Sequence, residues 1–140
     1  AKSTVEMRPI SPALFTRSVQ GGRYVTAVDT EGVLLGPELE GTTRQSHPGD
    51  IVLLFGTGFG ETDPPRPAGL LVSPARIKRA FTVRIAGLTA DTQYGGIVGP
   101  GLYQFNVQIP PDLPDGDHQV SIEIEGVTTQ PGVLLSVKRQ

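Results

Sequence analysis

The alternating run at residues 102–109 constrains the fold of this chain more than any other stretch. One side of the run carries Leu102, Gln104, Asn106 and Gln108, and the other carries Tyr103, Phe105, Val107 and Ile109. Because successive side chains of a strand point to opposite faces of a sheet, the alternation predicts a strand with one buried aromatic and aliphatic face. Glycine and proline close the run at both ends, at residues 99–101 and 110–111. We therefore predict a central strand of a β-sandwich, with Phe105 and Val107 in its core.

Turn residues separate many short apolar runs along the chain. The 140 residues include 18 glycines and 13 prolines, about twice the usual share of the two together. Two pairs of neighbouring runs predict hairpins, one turning at Gly21-Gly22 and the other joining residues 81–86 to 89–94. Residues 51–55 are continuously apolar, which is typical of a strand buried on both faces. The pattern predicts an all-β fold, an immunoglobulin-like β-sandwich of seven to nine short strands.

The length of the chain is that of one domain with a single core. Residues 1–11 are polar apart from Val5, Met7 and Ile10, and we predict an N-terminal extension or edge strand there. The sandwich domain is expected to span residues 12–140. The chain begins at Ala1 without methionine or signal peptide, which indicates either a processed product or an excised piece. Whether it is freestanding or part of a longer protein stays open.

Composition excludes several classes of function. The net charge is −2, so the basic footprint of a nucleic-acid binder is missing. The chain has no cysteine, which excludes disulfides, thiolate metal sites and thiol catalysis. No apolar run approaches the roughly 18 residues of a membrane span. We expect neither a nucleic-acid partner nor membrane insertion.

A glycine cluster follows the apolar run 51–55, at Gly56, Gly58 and Gly60. A dinucleotide-binding loop would need a helix to follow it. Prolines stand where that helix would run, at positions 64, 65 and 67. The cluster instead predicts a bend in which glycine supplies positive φ or a close approach of two backbones. No cofactor is expected.

An acidic loop at Asp112, Asp115 and Asp117 is a weak calcium candidate, because calcium prefers several oxygen ligands on a flexible loop. Its spacing does not match an EF-hand, and a plain turn with Asp115-Gly116 at the tip is the favoured interpretation. Glu61 and Asp63 form a weaker acidic pair.

The two histidines, His47 and His118, lie far apart in sequence, so a metal site would need both of them and carboxylates to converge. No serine lies in a Gly-x-Ser-x-Gly elbow. We therefore expect no catalytic residue and no metal, and the chain is predicted not to be an enzyme.

Two further groups of residues are candidates for ligand contact. The basic residues Arg76, Lys78, Arg79 and Arg84 suit a solvated sheet edge, with an acidic glycan or phosphate as the alternative. Sugar-binding faces usually present stacked aromatic rings, and this chain has no tryptophan. Glycan stacking would therefore require the three tyrosines to be exposed on one face: Tyr24, Tyr94 and Tyr103.

Several motifs together resemble a known family. They are residues 12–16 (PALFT), 48–60 (PGDIVLLFGTGFG), 82–90 (TVRIAGLTA), 94–110 (YGGIVGPGLYQFNVQIP), 113–117 (LPDGD) and 126–130 (GVTTQ). This set resembles the Solibacter uncharacterised C-terminal domain of exported bacterial proteins, and more distantly the IPT/TIG immunoglobulin-like domains. The resemblance implies an extracellular β-sandwich module appended to larger secreted or cell-surface proteins. It supplies no catalytic residues.

The expected function is thus a non-enzymatic structural or adhesion module, extracellular or on the cell surface. One form of it is self-assembly by β-strand addition, in which Val5, Met7 and Ile10 pair with the edge of a neighbouring subunit. The partner would be another copy or a neighbouring domain of a longer chain. The alternative is a module that binds cell-wall or environmental polysaccharide.

Overall fold

The computed structural model describes residues 10–37, 43–63 and 74–139, and in this part of the chain it contains strands and no helix. Two β-sheets pack together, so the prediction of an all-β sandwich is confirmed. Eight of the strands have four residues or more, which agrees with the expected seven to nine. The others have two or three residues, too few for periodicity to reveal. The fourteen strands are β1 (Ala13–Leu14), β2 (Thr16–Val19), β3 (Gly22–Val25), β4 (Ala27–Asp29), β5 (Ile51–Thr57), β6 (Thr62–Asp63), β7 (Ala75–Ile77), β8 (Phe81–Ile85), β9 (Leu88–Thr89), β10 (Asp91–Gly99), β11 (Leu102–Gln108), β12 (Gly116–Ile124), β13 (Val127–Thr128) and β14 (Leu134–Val137).

The strands divide into two sheets of seven. Sheet A has the order β1-β5-β11-β10-β7-β6, with β4 also paired to β5. Sheet B has the order β2-β3-β14-β12-β8-β9, with β13 paired to β12. Neighbours are antiparallel, except that β3 and β14 run parallel where Tyr24 pairs with Leu134. The chain passes repeatedly between the sheets, so most neighbours are distant in sequence.

The predicted central strand is confirmed. β11 lies between β5 and β10 in sheet A, and Phe105 and Val107 are fully buried. The Phe105 ring meets the Phe59 and Phe81 rings edge to face, at centroid distances of 4.7 and 5.4 Å. Phe81 belongs to sheet B, so these rings join the two layers of the core. Edge-to-face pairs add stabilisation beyond the apolar area that they bury.

Strand β5 is buried on one face only, which corrects the expectation for residues 51–55. Val52 and Leu54 are fully buried, whereas Ile51, Leu53 and Phe55 are only half-buried. Sheet A has the core on one side, so every second residue of its strands points outward. Ile51, Leu53 and Phe55 therefore point away from the core.

The hairpin predicted around Gly21-Gly22 is confirmed, with its turn one residue earlier. Val19 pairs with Gly22, which leaves Gln20 and Gly21 as a two-residue loop. Their φ angles are 47° and 87°, as a type I′ turn requires.

The hairpin predicted between residues 81–86 and 89–94 is confirmed at its turn, where Arg84 pairs with Thr89 and Ile85 with Leu88, but not for residues 91–94. β8 pairs with β9 and β12 in sheet B, whereas β10 crosses to sheet A and pairs with β11. Gly95 of β10 lies against Phe81 of β8, and the Phe81 ring fills the place of a side chain there. A Cβ on Gly95 would lie 2.2 Å from the Phe81 ring. The two runs therefore face each other across the core and do not lie side by side in one sheet.

Gly95→Ala should lower the free energy of unfolding by about 1–3 kcal/mol, because the added methyl group displaces the Phe81 ring from the aromatic core. Gly99→Ala is the matched control in the same strand, since a Cβ there would lie 3.9 Å from Leu102, an ordinary contact. Urea unfolding of both variants and the parent measures the difference. Equal urea midpoints for the two variants would contradict the packing of the Phe81 ring against Gly95.

Candidate interaction surfaces

The acidic loop does not assemble a calcium site. The Asp115 carboxylate accepts a hydrogen bond from the Arg139 backbone N–H at 2.7 Å. The Asp117 carboxylate accepts one from the Tyr24 hydroxyl, also at 2.7 Å, and Asp112 is exposed. Within the described residues, no group of three histidine, aspartate or glutamate side chains could hold a metal ion. The carboxylates at 115 and 117 instead attach the start of β12 to the chain around it.

The two histidines bind separate backbone carbonyls. Nδ1 of His47 lies 2.7 Å from the Lys138 oxygen, and Nε2 of His118 lies 2.8 Å from the Pro114 oxygen. A carbonyl only accepts hydrogen bonds, so the facing ring nitrogen carries the proton in each case. The structure does not bring the two rings together.

The three tyrosines do not form one stacking platform. Tyr24 lies buried in sheet B, and Tyr103 lies buried in sheet A with its hydroxyl donating to the Gly60 oxygen. Tyr94 is half-buried on the opposite side of sheet A, with the Arg76 guanidinium 5.2 Å from its ring centroid. Only Tyr94 is placed where a ligand can reach part of its ring.

Burial and the hydrogen bond to Asp117 define the chemistry of Tyr24. The Asp117 carboxylate, which accepts the hydrogen bond of the Tyr24 hydroxyl, raises the pKa of that hydroxyl, and burial raises it further. The folded state therefore favours the neutral phenol over the phenolate. This stabilisation is complete when the pH is below the ordinary tyrosine pKa of 10.0, and it is lost as the pH rises through the higher folded-state pKa.

The four basic residues that lie close together in sequence do not form one patch: Arg76, Lys78, Arg79 and Arg84. Arg84 lies in sheet B and binds Glu123 at 2.8 Å. Arg79 lies 3.6 Å from Glu61, while Arg76 lies in sheet A over the Tyr94 ring. The expected single solvated edge is not formed, because Arg76 and Arg84 lie on strands that are paired on both sides.

Sequence analysis missed a buried carboxylate at Asp29. One of its oxygens accepts hydrogen bonds from the Glu31 and Val33 backbone N–H groups, each at 2.9 Å. The other accepts from the Arg44 guanidinium at 2.9 and 3.2 Å. The Val33 bond most of all lowers the pKa of Asp29, with help from Arg44 and Glu31 and against the effect of burial. The only signal in the sequence is an aspartate before the turn residues Thr-Glu-Gly, which is typical of an Asx-turn.

Asp29→Asn should lower the free energy of unfolding by about 1–3 kcal/mol at neutral pH, because the charged acceptor of the Arg44 bonds is lost. The pKa in the folded state is below the ordinary 3.8, so the carboxylate stabilises the fold above that pH. The difference between parent and variant should shrink as the pH falls below 3.8, through the lowered folded-state pKa. Urea unfolding between about pH 7 and about pH 3 measures it. Asp112→Asn, at an exposed position, is the control, and an equal loss there would contradict the assignment.

The backbone of residues 11–13 packs against the glycine cluster. The Ser11 backbone N–H donates to the Gly58 oxygen at 3.0 Å. A Cβ on Gly58 would lie 2.0 Å from the Ser11 oxygen, and one on Gly56 would lie 2.5 Å from the Ala13 oxygen. The φ angles of Gly58 and Gly60 are also positive. The prediction of a bend with close backbone approach is confirmed, and we call Gly56, Gly58 and Gly60 the glycine groove.

Residues 10–14, which we call the entry segment, lie in this groove with alternate side chains directed inward. Leu14 and Pro12 are buried, and Ile10 packs against the hydrophobic core. The Gln130 side chain holds the end of the segment, because its amide accepts from the Leu14 N–H at 3.0 Å and donates to the Leu14 oxygen at 2.7 Å. Of the predicted assembly residues, Val5 and Met7 lie outside the described residues, and Ile10 contacts its own domain.

The outer face of sheet A carries two rows of uncharged side chains. The apolar row consists of Phe15, Val28, Ile51, Leu53 and Phe55. The amide row consists of Gln104, Asn106 and Gln108. Strand register places the rows side by side, since Ile51 pairs with Gln108, Leu53 with Asn106 and Phe55 with Gln104. Val28 pairs with Leu53, and the Phe15 N–H donates to the Phe55 oxygen. Phe15 is 40% exposed, and the others are half-buried.

The outer face of sheet B differs in charge. There β8 and β12 pair Arg84 with Ser121 and Thr82 with Glu123, and the Arg84–Glu123 ion pair crosses between the two strands. The apolar and amide rows of sheet A contain no charged residue. Phe15 is the exposed member of the apolar row, and the half-buried side chains beside it make the apolar area continuous; a contiguous apolar patch typically marks a contact surface.

Comparison of this chain with models of known families, with curated proteins and with solved structures finds no match in any of the three. The resemblance to the Solibacter C-terminal domain family therefore stays a hypothesis. Across residues 10–37, 43–63 and 74–139 there is no helix long and apolar enough to cross a membrane.

Proposed function

We propose that this chain is a non-enzymatic structural or adhesion module of a secreted or cell-surface bacterial protein, and that it works by docking the outer face of sheet A against another folded domain. The observation that carries the proposal is the apolar row, which points away from the core and leaves Phe15 40% exposed. Export is supported by the family resemblance of its motifs. The partner is a further copy or a neighbouring domain of a longer chain.

The chemistry of the two rows suits a protein surface. Removing apolar area from water stabilises a complex by about 25 cal/mol per Å². The amide row can satisfy polar groups at the margin of the contact, because each amide offers two donor hydrogens and an acceptor oxygen. Gln104 already donates to Asn106 at 2.8 Å, which fixes part of the row before binding. Charges adjoin the amide row, since Asp91 pairs with Gln108 and Arg76 lies over the Tyr94 ring, so binding should depend partly on salt.

The second candidate is polysaccharide binding on the same face. Tyr94 is the register partner of Asn106, so one partly exposed ring lies next to the amide row. Amides bind sugar hydroxyls and aromatic rings stack on sugar faces. Tyr24 and Tyr103 do not support this candidate, because both are buried.

Nitrogen-15 NMR can test both candidates with one set of variants. Titrating labelled protein with unlabelled protein should shift backbone signals of β4, β5 and β11 in fast exchange. Phe15→Arg should weaken this self-contact at least about tenfold, or about 1.4 kcal/mol. Leu88→Arg is the matched control, since Leu88 is 50% exposed and lies in sheet B.

Titration with soluble peptidoglycan and xylan fragments is the second arm. Shifts at Tyr94 and the amide row, abolished by Tyr94→Ala, would favour the polysaccharide candidate over protein docking. If neither titration moves signals on this face, or if Phe15→Arg and Leu88→Arg behave alike, docking between copies and polysaccharide binding are both wrong for this face.

A further inference from the structure

We propose that the entry segment, residues 10–14, exchanges between two copies of this chain, so that the segment of one copy occupies the glycine groove of the other. This inference goes beyond the proposed function, since it concerns a different surface and names the partner as an identical chain. The glycine groove and the entry segment together form the site. Three features of the structure support it.

The first feature is the way the segment is held. Ile10, Pro12 and Leu14 direct alternate side chains inward, while the backbone between them bonds to the edge of β5. An added strand binds a sheet edge in this manner, with main-chain bonds for affinity and alternate side chains in pockets for specificity. The groove is shaped for backbone, because glycine occupies the positions where Ser11 and Ala13 approach most closely.

The second feature is that the groups bound by the segment belong to later parts of the chain. They are the end of β5, the glycine groove and the amide of Gln130. An identical segment from a second copy forms the same hydrogen bonds and the same packing, with the same geometry. The interactions that break when the segment leaves its own groove therefore form again in the groove of the second copy. Exchange of an identical element is for this reason a low-cost route to dimers.

The third feature is the joint between the segment and the rest of the domain. β1 ends at Leu14 in sheet A and β2 begins at Thr16 in sheet B, so Phe15 alone joins them. The Phe15 N–H donates to the Phe55 oxygen at 2.9 Å, and its oxygen accepts from Thr26 at 2.8 Å. Exchange of an element between copies takes place at a short hinge segment, and this joint has one residue. Extension at Phe15 would bring β1 into line with β2.

Cysteine pairing tests the exchange, because the chain has no cysteine of its own. Ala13 and Thr57 are register partners of β1 and β5. One batch carries Ala13→Cys and another carries Thr57→Cys, and the two are unfolded, mixed and refolded together at several concentrations under mild oxidation. We expect a disulfide heterodimer between positions 13 and 57, identified by mass spectrometry, whose yield rises with protein concentration.

Two controls make the result decisive. The variant with both cysteines in one chain should form the disulfide within the monomer at low concentration, which establishes that the geometry permits it. A mixture of Arg84→Cys with Ser121→Cys should give no more than background, because these register partners lie in β8 and β12, away from the exchanging segment.

A longer joint provides an independent measurement. Insertion of Gly-Ser-Gly between Phe15 and Thr16 gives the segment more freedom to return to its own groove, which it already occupies through the one-residue joint. The heterodimer yield should therefore fall severalfold at equal concentration. A 13–57 yield no higher than that of the 84–121 mixture, with the double-cysteine monomer oxidised, would overturn the proposal. An insertion variant with undiminished yield would also overturn the role of the joint. Neither result bears on the NMR test of the outer face.

Discussion

The fold depends on the edge-to-face contacts of the Phe105 ring at the centre of the core. Phe105 comes from the central strand of sheet A, Phe81 from sheet B, and Phe59 from the bend after β5. The three rings therefore fix the spacing of the two layers and the path of the chain leaving β5. Gly95 lies opposite Phe81 because any side chain there would occupy the same space.

Sequence patterns predict those parts of this fold for which the residues of one segment are sufficient evidence. The alternation from Leu102 to Ile109 predicts β11 and its buried side, and the glycine cluster predicts a close backbone approach. Pairing between distant strands cannot be predicted in this way, since periodicity describes the faces of a strand and not its neighbours. The runs around Phe81 and Tyr94 are adjacent in sequence, yet their strands pair with different partners and lie in different sheets.

The candidate surfaces show the same limit. No single stretch contains the outer face of sheet A, because its rows come from Phe15, Val28, β5 and β11, and only register places them together. The continuous apolar run of β5 suggests burial on two sides, although half of it faces outward. Asp29 escapes prediction for a related reason: its partner Arg44 lies beyond a second turn, and nothing in either local sequence links them. The sequence identifies the three tyrosines as candidates for stacking on a sugar, but only the packing of the two sheets determines which of their rings are buried.

The side-chain amide of Gln130 has a consequence for the rim of sheet A. It forms hydrogen bonds with the N–H and the C=O of Leu14, which would otherwise be available to a strand from another molecule. A sheet normally grows by just such vacant groups on its outermost strand. Because a side chain takes the place of a further strand, this edge of sheet A is capped at Leu14. Addition of strands from other molecules into open-ended fibrils is discouraged there.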